Sequence, residues 1–346
     1  ILRRVLFDLG TEVRAVPIDE GGEEGEGEAD ADVLEPDFED GRPPRFELPS
    51  PPGSPTPPSA PAKKAIGIVL TSATLATRTA SAEELTERAE TAFAHAIQNL
   101  GLPPPPDTKT LQLGSPFDYS KQATLYIDLS LPNPKSGDTR RGGEGGGGPA
   151  PDDGSGRGYL DVLAARVLHH VRETDGGAFV LFTSFATLNA VGDRIKRELD
   201  RLDIALFMQG RDGPRTVVLK GFIETDRAVL LGAATFWQGV DVRGERLRNV
   251  IITRLPFEPP DRPLTQARLE RIEEQGGNAF MQDSLPRAII RFKQGFGRLI
   301  RSKSDRGRVV ILDPRVKTAR YGRMFLNALP EGVRIEEVRA EADECF

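Results

Sequence analysis

The 346 residues carry a formal net charge of −6, but Asp19 to Asp40 holds twelve Asp and Glu with no Lys or Arg, leaving +6 for everything else. A mildly basic body suits a polyanionic partner without identifying one. The single cysteine, Cys345, excludes internal disulfides and any cysteine-ligated iron–sulfur cluster within the chain, and no apolar run reaches the ~20 residues needed to cross a bilayer. A cytoplasmic setting is therefore expected, and no membrane partner. The chain opens on Ile1, not Met, and reads as a fragment or an incomplete gene model.

Residues 1–18 contain a short apolar stretch, ILRRVLFDLG, read as the last piece of an upstream domain. The acidic Gly-rich run and the Pro-rich run from Pro49 to Ala62 then predict disorder, so 1–64 is read as that remnant plus a linker. The first run has too few apolar groups to pack, and each Pro lacks a backbone donor. A second reading of the acidic run is a decoy that competes with nucleic acid for a basic groove.

From Ile66 to Leu70 the chain turns to a short apolar run of buried-strand type. Ser81-Ala82-Glu83-Glu84 is a capping-box pattern; it opens a helix with apolar residues at Leu85, Ala89, Phe93, Ile97 and Leu100, closed by Gly101. A strand is expected over Thr124–Leu129, then a flexible loop from Pro132 to Gly158. The GGEGGGG run within it is no phosphate cradle, because it leads into Pro149 and lacks the Gly-Lys-Ser/Thr ending. Leu160, Leu163, Ala164, Val167, Leu168 and Val171 follow the three-and-four spacing of an amphipathic helix. Strands at Ala178–Phe182, Ile204–Phe207, Ala228–Leu231, Val250–Thr253 and Val309–Leu312 alternate with helices, among them Ala186–Leu199 and Val217–Phe222. That alternation predicts an α/β fold: a parallel sheet with helices on both faces, and ligands at the carboxyl ends of its strands. His95, His169 and His170 fall in helical patterns, and no metal site is expected.

Gln294, Arg298 and Arg301 stand four and three residues apart, which puts them on one face of a helix beginning near Leu285. Two guanidiniums and an amide on one face suit a polyphosphate; the alternative is a solvated face paired with acidic neighbours. Gly295 and Gly297 weaken such a helix by about 1 kcal/mol each, which points to a close backbone approach there. Arg287, Arg291, Lys293, Lys303, Arg306 and Arg308 add positive charge around them. Thr183, Ser184 and Gln209 are donors at strand ends, fitting the phosphates of a single strand or serving as plain caps. Trp237 either stacks or fills core, and Gly239 and Gly244 bracket a loop containing Asp241.

Several segments, in order, resemble motifs of superfamily-two helicases. Thr71-Ser72-Ala73-Thr74-Leu75 is similar to the third motif, Leu113–Tyr119 to the segment opening the second motor domain, and Val180–Phe185 to motif IV. Gln209-Gly210, Phe236–Gly244 (motif V) and Val250–Pro260 follow, and Gln294–Arg301 matches all six fixed positions of the motif VI pattern QGxGRxIR. With Asp313-Pro314-Arg315 and Tyr321-Gly322, the resemblance runs from Ile66 to Pro330 apart from the Pro132–Gly158 loop. The chain resembles the C-terminal, second RecA-like part of a DinG/XPD-like DNA helicase.

This resemblance implies that 65–110 ends a first motor domain, 111–335 forms the second RecA-like domain and 336–346 is a tail. It implies ATP and Mg²⁺, held mainly by a first motor domain that this sequence lacks. The other implied partner is single-stranded DNA, with movement 5′ to 3′ and a monomeric full-length protein. Gln294, Arg298 and Arg301 then serve catalysis, and Ser72, Thr74, Gly239, Asp241, Gly295 and Gly297 nucleotide binding or coupling. Thr183, Ser184, Gln209 and Trp237 become the DNA contacts. No G-x-x-x-x-G-K-[ST] loop occurs and no acidic box precedes Thr71, so the chain alone is expected neither to hydrolyse ATP nor to unwind DNA. The competing reading is a non-catalytic nucleic-acid-binding module; an RNA-directed relative is a third. The motor reading requires the Arg298 and Arg301 guanidiniums to project together from the sheet's rim.

Overall fold

The computed structural model describes residues 12–15, 68–72, 74–78, 87–103, 107–112, 114–132, 158–237 and 246–339. The acidic and Pro-rich runs, the capping box, the Gly-rich run, Gly239, Asp241 and Cys345 lie outside these residues. The chain divides into two compact units, one of them Glu12–Thr71. In that unit β1 (Glu12–Ala15) pairs antiparallel with β2 (Ile68–Thr71), Glu12 opposite Thr71 and Ala15 opposite Ile68. The strand expected over Ile66–Leu70 forms at Ile68–Thr71; its partner was not foreseen.

The unit that includes Ser72–Phe346 begins with α1 (Glu87–Leu100), α2 (Tyr119–Gln122) and β3 (Ala123–Asp128). There follow α3 (Tyr159–Arg172), β4 (Ala178–Leu181), α4 (Phe185–Arg201), β5 (Ala205–Met208), α5 (Arg215–Glu224) and β6 (Ala228–Gly232). A 3₁₀ turn at Ala234–Trp237 precedes β7 (Asn249–Ile252) and α6 (Pro263–Glu274). A π-helical turn, Phe280–Ser284, runs into α7 (Leu285–Phe296), and β8 (Gly307–Ile311), α8 (Arg315–Thr318), α9 (Gly322–Leu326) and β9 (Arg334–Val338) complete the order.

The seven strands of this unit lie in the order β5-β6-β4-β7-β8-β3-β9, and every pairing is parallel. Alternate residues face opposite sides. Phe179, Leu181, Leu230, Val250, Ile252 and Ile311 pack with Phe222 of α5 and Phe292 of α7. Val180, Phe182, Val229, Leu231, Ile251 and Val310 pack with Leu163 and Val167 of α3 and Leu188 and Ile195 of α4. Burial on both faces is why these strands read as continuous apolar runs. The α/β class and RecA-like parallel sheet expected from the sequence are what the chain forms. After β4 the chain crosses toward the β5 edge, and after β7 toward β8. Between β4 and β7 the crossovers therefore part, which in open α/β sheets marks the crevice where ligands bind, at the strands' carboxyl ends.

Two elements depart from expectation. β9 was not foreseen and crosses the boundary placed at 335; it lies beside β3 at the sheet edge with Arg334, Ile335, Glu336 and Glu337 exposed, so it has no buried face to pattern. Helix α7 ends at Phe296, short of Arg298 and Arg301. Among the described residues no helix is long and apolar enough to cross a membrane.

Candidate nucleotide and nucleic-acid site

Helix α7 starts with Pro286 in its first turn, where no intrahelical donor is needed, and buries Leu285, Ala288, Ile289, Phe292 and Phe296. Its end is set by the glycines. Gly297 N–H bonds Lys293 O at 2.8 Å, after which Arg298 N–H reaches Gly295 O and Leu299 N–H reaches Phe296 O, both at 3.2 Å. The shift to three-residue spacing tightens the turn and leaves the helix. The three-residue face expected of Gln294, Arg298 and Arg301 is therefore not formed: Gln294 stays on the helix and the arginines follow the turn.

Those arginines have different surroundings. Arg298 is only 6% exposed, and its Nη2 donates to Trp237 O at 2.7 Å. Arg301 is exposed, and its backbone N–H donates to Asp305 Oδ2 at 2.8 Å, an oxygen that also takes Ser302 N–H. They do not project together from the rim.

The close approach that glycine permits at 295 is to the chain's own indole. A Cβ on Gly295 would come within 3.0 Å of the Trp237 ring and 3.2 Å of Leu181. Trp237 is 1% exposed, with Nε1 donating to Phe182 O at 3.0 Å, so it fills core and offers no face to a base. The DNA contact expected of Gln209 also gives way. Its Nε2 donates to Thr235 Oγ1 at 2.8 Å and its Oε1 accepts Ala233 N–H at 2.7 Å, stitching the loop after β5 to the loop after β6. Ser184 caps α4, its hydroxyl accepting Thr187 N–H at 3.2 Å, and Thr183 is half-buried beside it.

Gln294 does meet the third motif. Ser72 Oγ accepts Thr74 N–H at 3.2 Å, and Gln294 Nε2 donates to Thr74 Oγ1 at 3.4 Å. One residue earlier, Lys293 Nζ donates to Ala76 O at 2.8 Å, and burial pushes its pKa down to about 8. The buried Oε1 of Gln294 has no hydrogen-bond partner among the described residues.

Sequence reasoning missed Arg254. It stands two residues past the end of β7, at the crevice, half-buried, and its buried Nε has no partner among the described residues. A cation directly after an apolar strand was the available signal. Nearby in the fold, Asp313 accepts Leu255 N–H at 2.8 Å and Arg315 Nη2 at 2.6 Å, which ties the segments following β7 and β8.

The histidines do structural work. Asp128 Oδ2 accepts Arg166 Nε at 2.7 Å and pairs with His170 Nε2 at 2.8 Å, while Oδ1 accepts Ser130 N–H at 2.9 Å. Arg308 Nη2 lies 3.2 Å from His170 Nδ1; since Arg only donates, His170 is the neutral tautomer with its proton on Nε2. Burial, the largest influence, lowers the His170 pKa against the pull of Asp128. Burial alone would raise Asp128, but hydrogen bonds from His170 and Ser130 and the charge of Arg166 hold it well below the usual carboxylate range. His95 Nδ1 bonds Gln282 O at 3.1 Å, and burial, helped by Arg287, pushes its pKa down to about 4. Among the described residues no group of three or more His, Cys, Asp or Glu could hold a metal ion.

Residues 167–332 match the family model of the helicase C-terminal domain. Over 266 residues the chain is 37% identical to the 3′-5′ exonuclease DinG of Bacillus subtilis, covering 76% of this chain and 25% of that protein. It is 34% identical over 247 residues to the ATP-dependent DNA helicase YoaA of Haemophilus influenzae, covering 71% of this chain and 34% of that one. A solved structure titled XPD_APO is similar at a TM-score of 0.46 and 16% identity, over 63% of this chain and 40% of that chain. The chain thus spans 25% and 34% of these two curated relatives. Residues 167–332 thus belong to the helicase C-terminal domain family, in a chain that is similar to the DinG and YoaA proteins over part of their length.

Proposed function

We propose that the chain is the C-terminal motor half of an ATP-dependent DNA helicase, a cytoplasmic monomer in full length that moves 5′ to 3′ along single-stranded DNA. The contact between Gln294 and Thr74 carries this reading: it joins the motif VI amide to the motif III hydroxyl and leaves Gln294 Oε1 unanswered among the described residues. A polar seam between those two motifs is where a nucleotide's state would be sensed.

The residues fit the cation side of a nucleotide site. Arg301 is exposed and Gln294 has spare acceptor capacity, whereas no described carboxylate group suits Mg²⁺, which would be held mainly by the first motor domain. Bound ATP supplies the phosphoryl-transfer energy that drives movement. Arg301 would neutralise phosphate charge directly. The joint projection of Arg298 and Arg301 that the motor reading requires is absent from this arrangement and would arise only once the Arg298 bond to Trp237 O is broken, so engagement of Arg298 would be gated by movement of that segment. Through Trp237 and Phe182 the same bond links motif VI to the strand end bearing Thr183 and Ser184, a route from nucleotide state to DNA grip. Gly295 permits that packing and Gly297 that turn; Gly239 and Asp241 follow Trp237 in the sequence.

In the full-length protein Arg301→Ala is expected to lower ATP turnover by roughly 10³-fold, the magnitude typical of an arginine finger. The 346-residue chain by itself is expected to show no DNA-stimulated ATPase above background. Clear stimulated hydrolysis by that chain would overturn the composite-site reading; full turnover by the Arg301→Ala protein would remove Arg301 from catalysis, and no turnover by the unaltered full-length protein would leave the non-catalytic binding module in its place.

A further inference from the structure

We propose that Phe280, supported by Phe257 and Tyr321, is a platform on which an unpaired base of single-stranded DNA stacks, with Arg320 and Arg323, on either side of Tyr321 in the chain, taking its phosphates. This deepens the helicase reading above and rests on it. The platform grows out of the core. Phe292 and Phe325 are fully buried, 5.4 Å apart between ring centroids, and Phe325 lies 5.8 Å from Phe257. Phe257 stacks on Phe280 at 5.7 Å and 25°, and Tyr321 meets Phe280 at 5.3 Å. Rings anchored this way hold the outermost one rigid, so little ordering entropy remains to be lost on binding. Yet Phe280 is 39% exposed, with Met281 and Met324 at 45% and 38%. Closure over a core does not require an aromatic ring left open at the top.

Backbone and charge agree. Phe280 opens the π-helical turn that leads into α7, a distortion frequent at functional sites. Phe257 lies in the segment following β7 and Tyr321 in that following β8, both on the carboxyl side of the sheet. Several arginines here are already committed, Arg315 to Asp313, Arg291 to Glu258 and Arg287 to Asp283. Arg320 and Arg323, both exposed and close to Tyr321 in the chain, make no ion pair among the described residues. An apolar protein segment laid here would desolvate those charges without compensation. A nucleotide strand satisfies both features, its base on the ring and its phosphates on the guanidiniums.

The test measures binding of the 346-residue chain to a labelled oligothymidylate of about 20 nucleotides and to an abasic strand with the same backbone. Phe280→Leu keeps apolar bulk against Phe257 but removes the π face; it is expected to weaken oligothymidylate binding about tenfold and leave the abasic strand unaffected. Arg320→Gln combined with Arg323→Gln should weaken both strands and lower the slope of log affinity against log salt by roughly 1.4. Phe280→Trp provides a readout independent of stability: it should retain affinity, with its fluorescence quenched as the base stacks. Equal effects of Phe280→Leu on the two strands, no effect on oligothymidylate, or no quenching would overturn the platform. Failure of the unaltered chain to bind either strand would remove the platform and the DNA-binding part of the helicase reading together; binding with Phe280→Leu indistinguishable removes the platform alone.

Discussion

Around Asp128 the carboxylate is met on every side by the chain's own groups, Arg166, His170 and the Ser130 amide. At the carboxyl rim, by contrast, Gln294 Oε1 and Arg254 Nε meet no partner among the described residues. An orphan atom is not by itself a sign of a ligand, since Arg166 Nη2 is buried without a partner too. Exposure of the rest of the side chain separates the cases: Arg166 is 1% exposed, whereas Gln294 and Arg254 are half-buried, though the orphan atoms themselves are covered. The same residue types hold the sheet together in one region and stand without a partner among the described residues in the other.

The sharpest way to break that contrast is at Asp128. Asp128→Ala strands the Arg166 guanidinium in the interior and is expected to cost about 3–5 kcal/mol of unfolding free energy in urea denaturation. Adding Arg166→Met should restore much of the loss, because the uncompensated charge goes with it. A single variant as stable as the parent would show that β3 and α3 hold together by apolar packing alone.

Acid should act on the same interior. Burial pushes His95 down to about 4 from the ordinary histidine value of 6.5, and His170 is lowered as well. Below pH 6.5 the unfolded chain takes up protons that the folded one refuses. The stability contributed by neutral His95 is therefore fully present above 6.5 and lost as pH falls toward 4, roughly 3 kcal/mol in all. His95→Gln should flatten the stability profile across that window when compared with the parent. Parallel profiles would mean that His95 is hydrated, not buried.

What could be read from the sequence followed burial. Ala178–Leu181, Ala228–Gly232 and Asn249–Ile252 are covered on both faces, and their apolar runs located them to within a residue or so. β9 has no buried face and left no pattern. Motif VI was legible as chemistry and misread as geometry: helical spacing carries Gln294 to Arg298 only if the helix continues, and Gly297 ends it. The Asp128 cluster had a weak signal, Arg166 and His170 four apart on a helix after a strand ending in Asp. Whether Trp237 stacks or packs depends on Gly295 and Leu181, which no local pattern brings together.

The smallest expected effect on stability is the most telling for the rim. Arg254→Met keeps most of the apolar stem and removes a charge that no described residue answers, so unfolding free energy should change by no more than ~0.5 kcal/mol. Binding should respond differently. If Arg254 meets a phosphate at the β4–β7 crevice, the variant binds single-stranded DNA less tightly whatever its sequence, and the slope of log affinity against log salt falls by roughly 0.7. Stability lost with binding kept would place Arg254 with Arg166, as a guanidinium the fold encloses for itself. Binding lost with stability kept is the signature of a group held for a ligand, and it is the result that the half-open position of Arg254 past β7 requires.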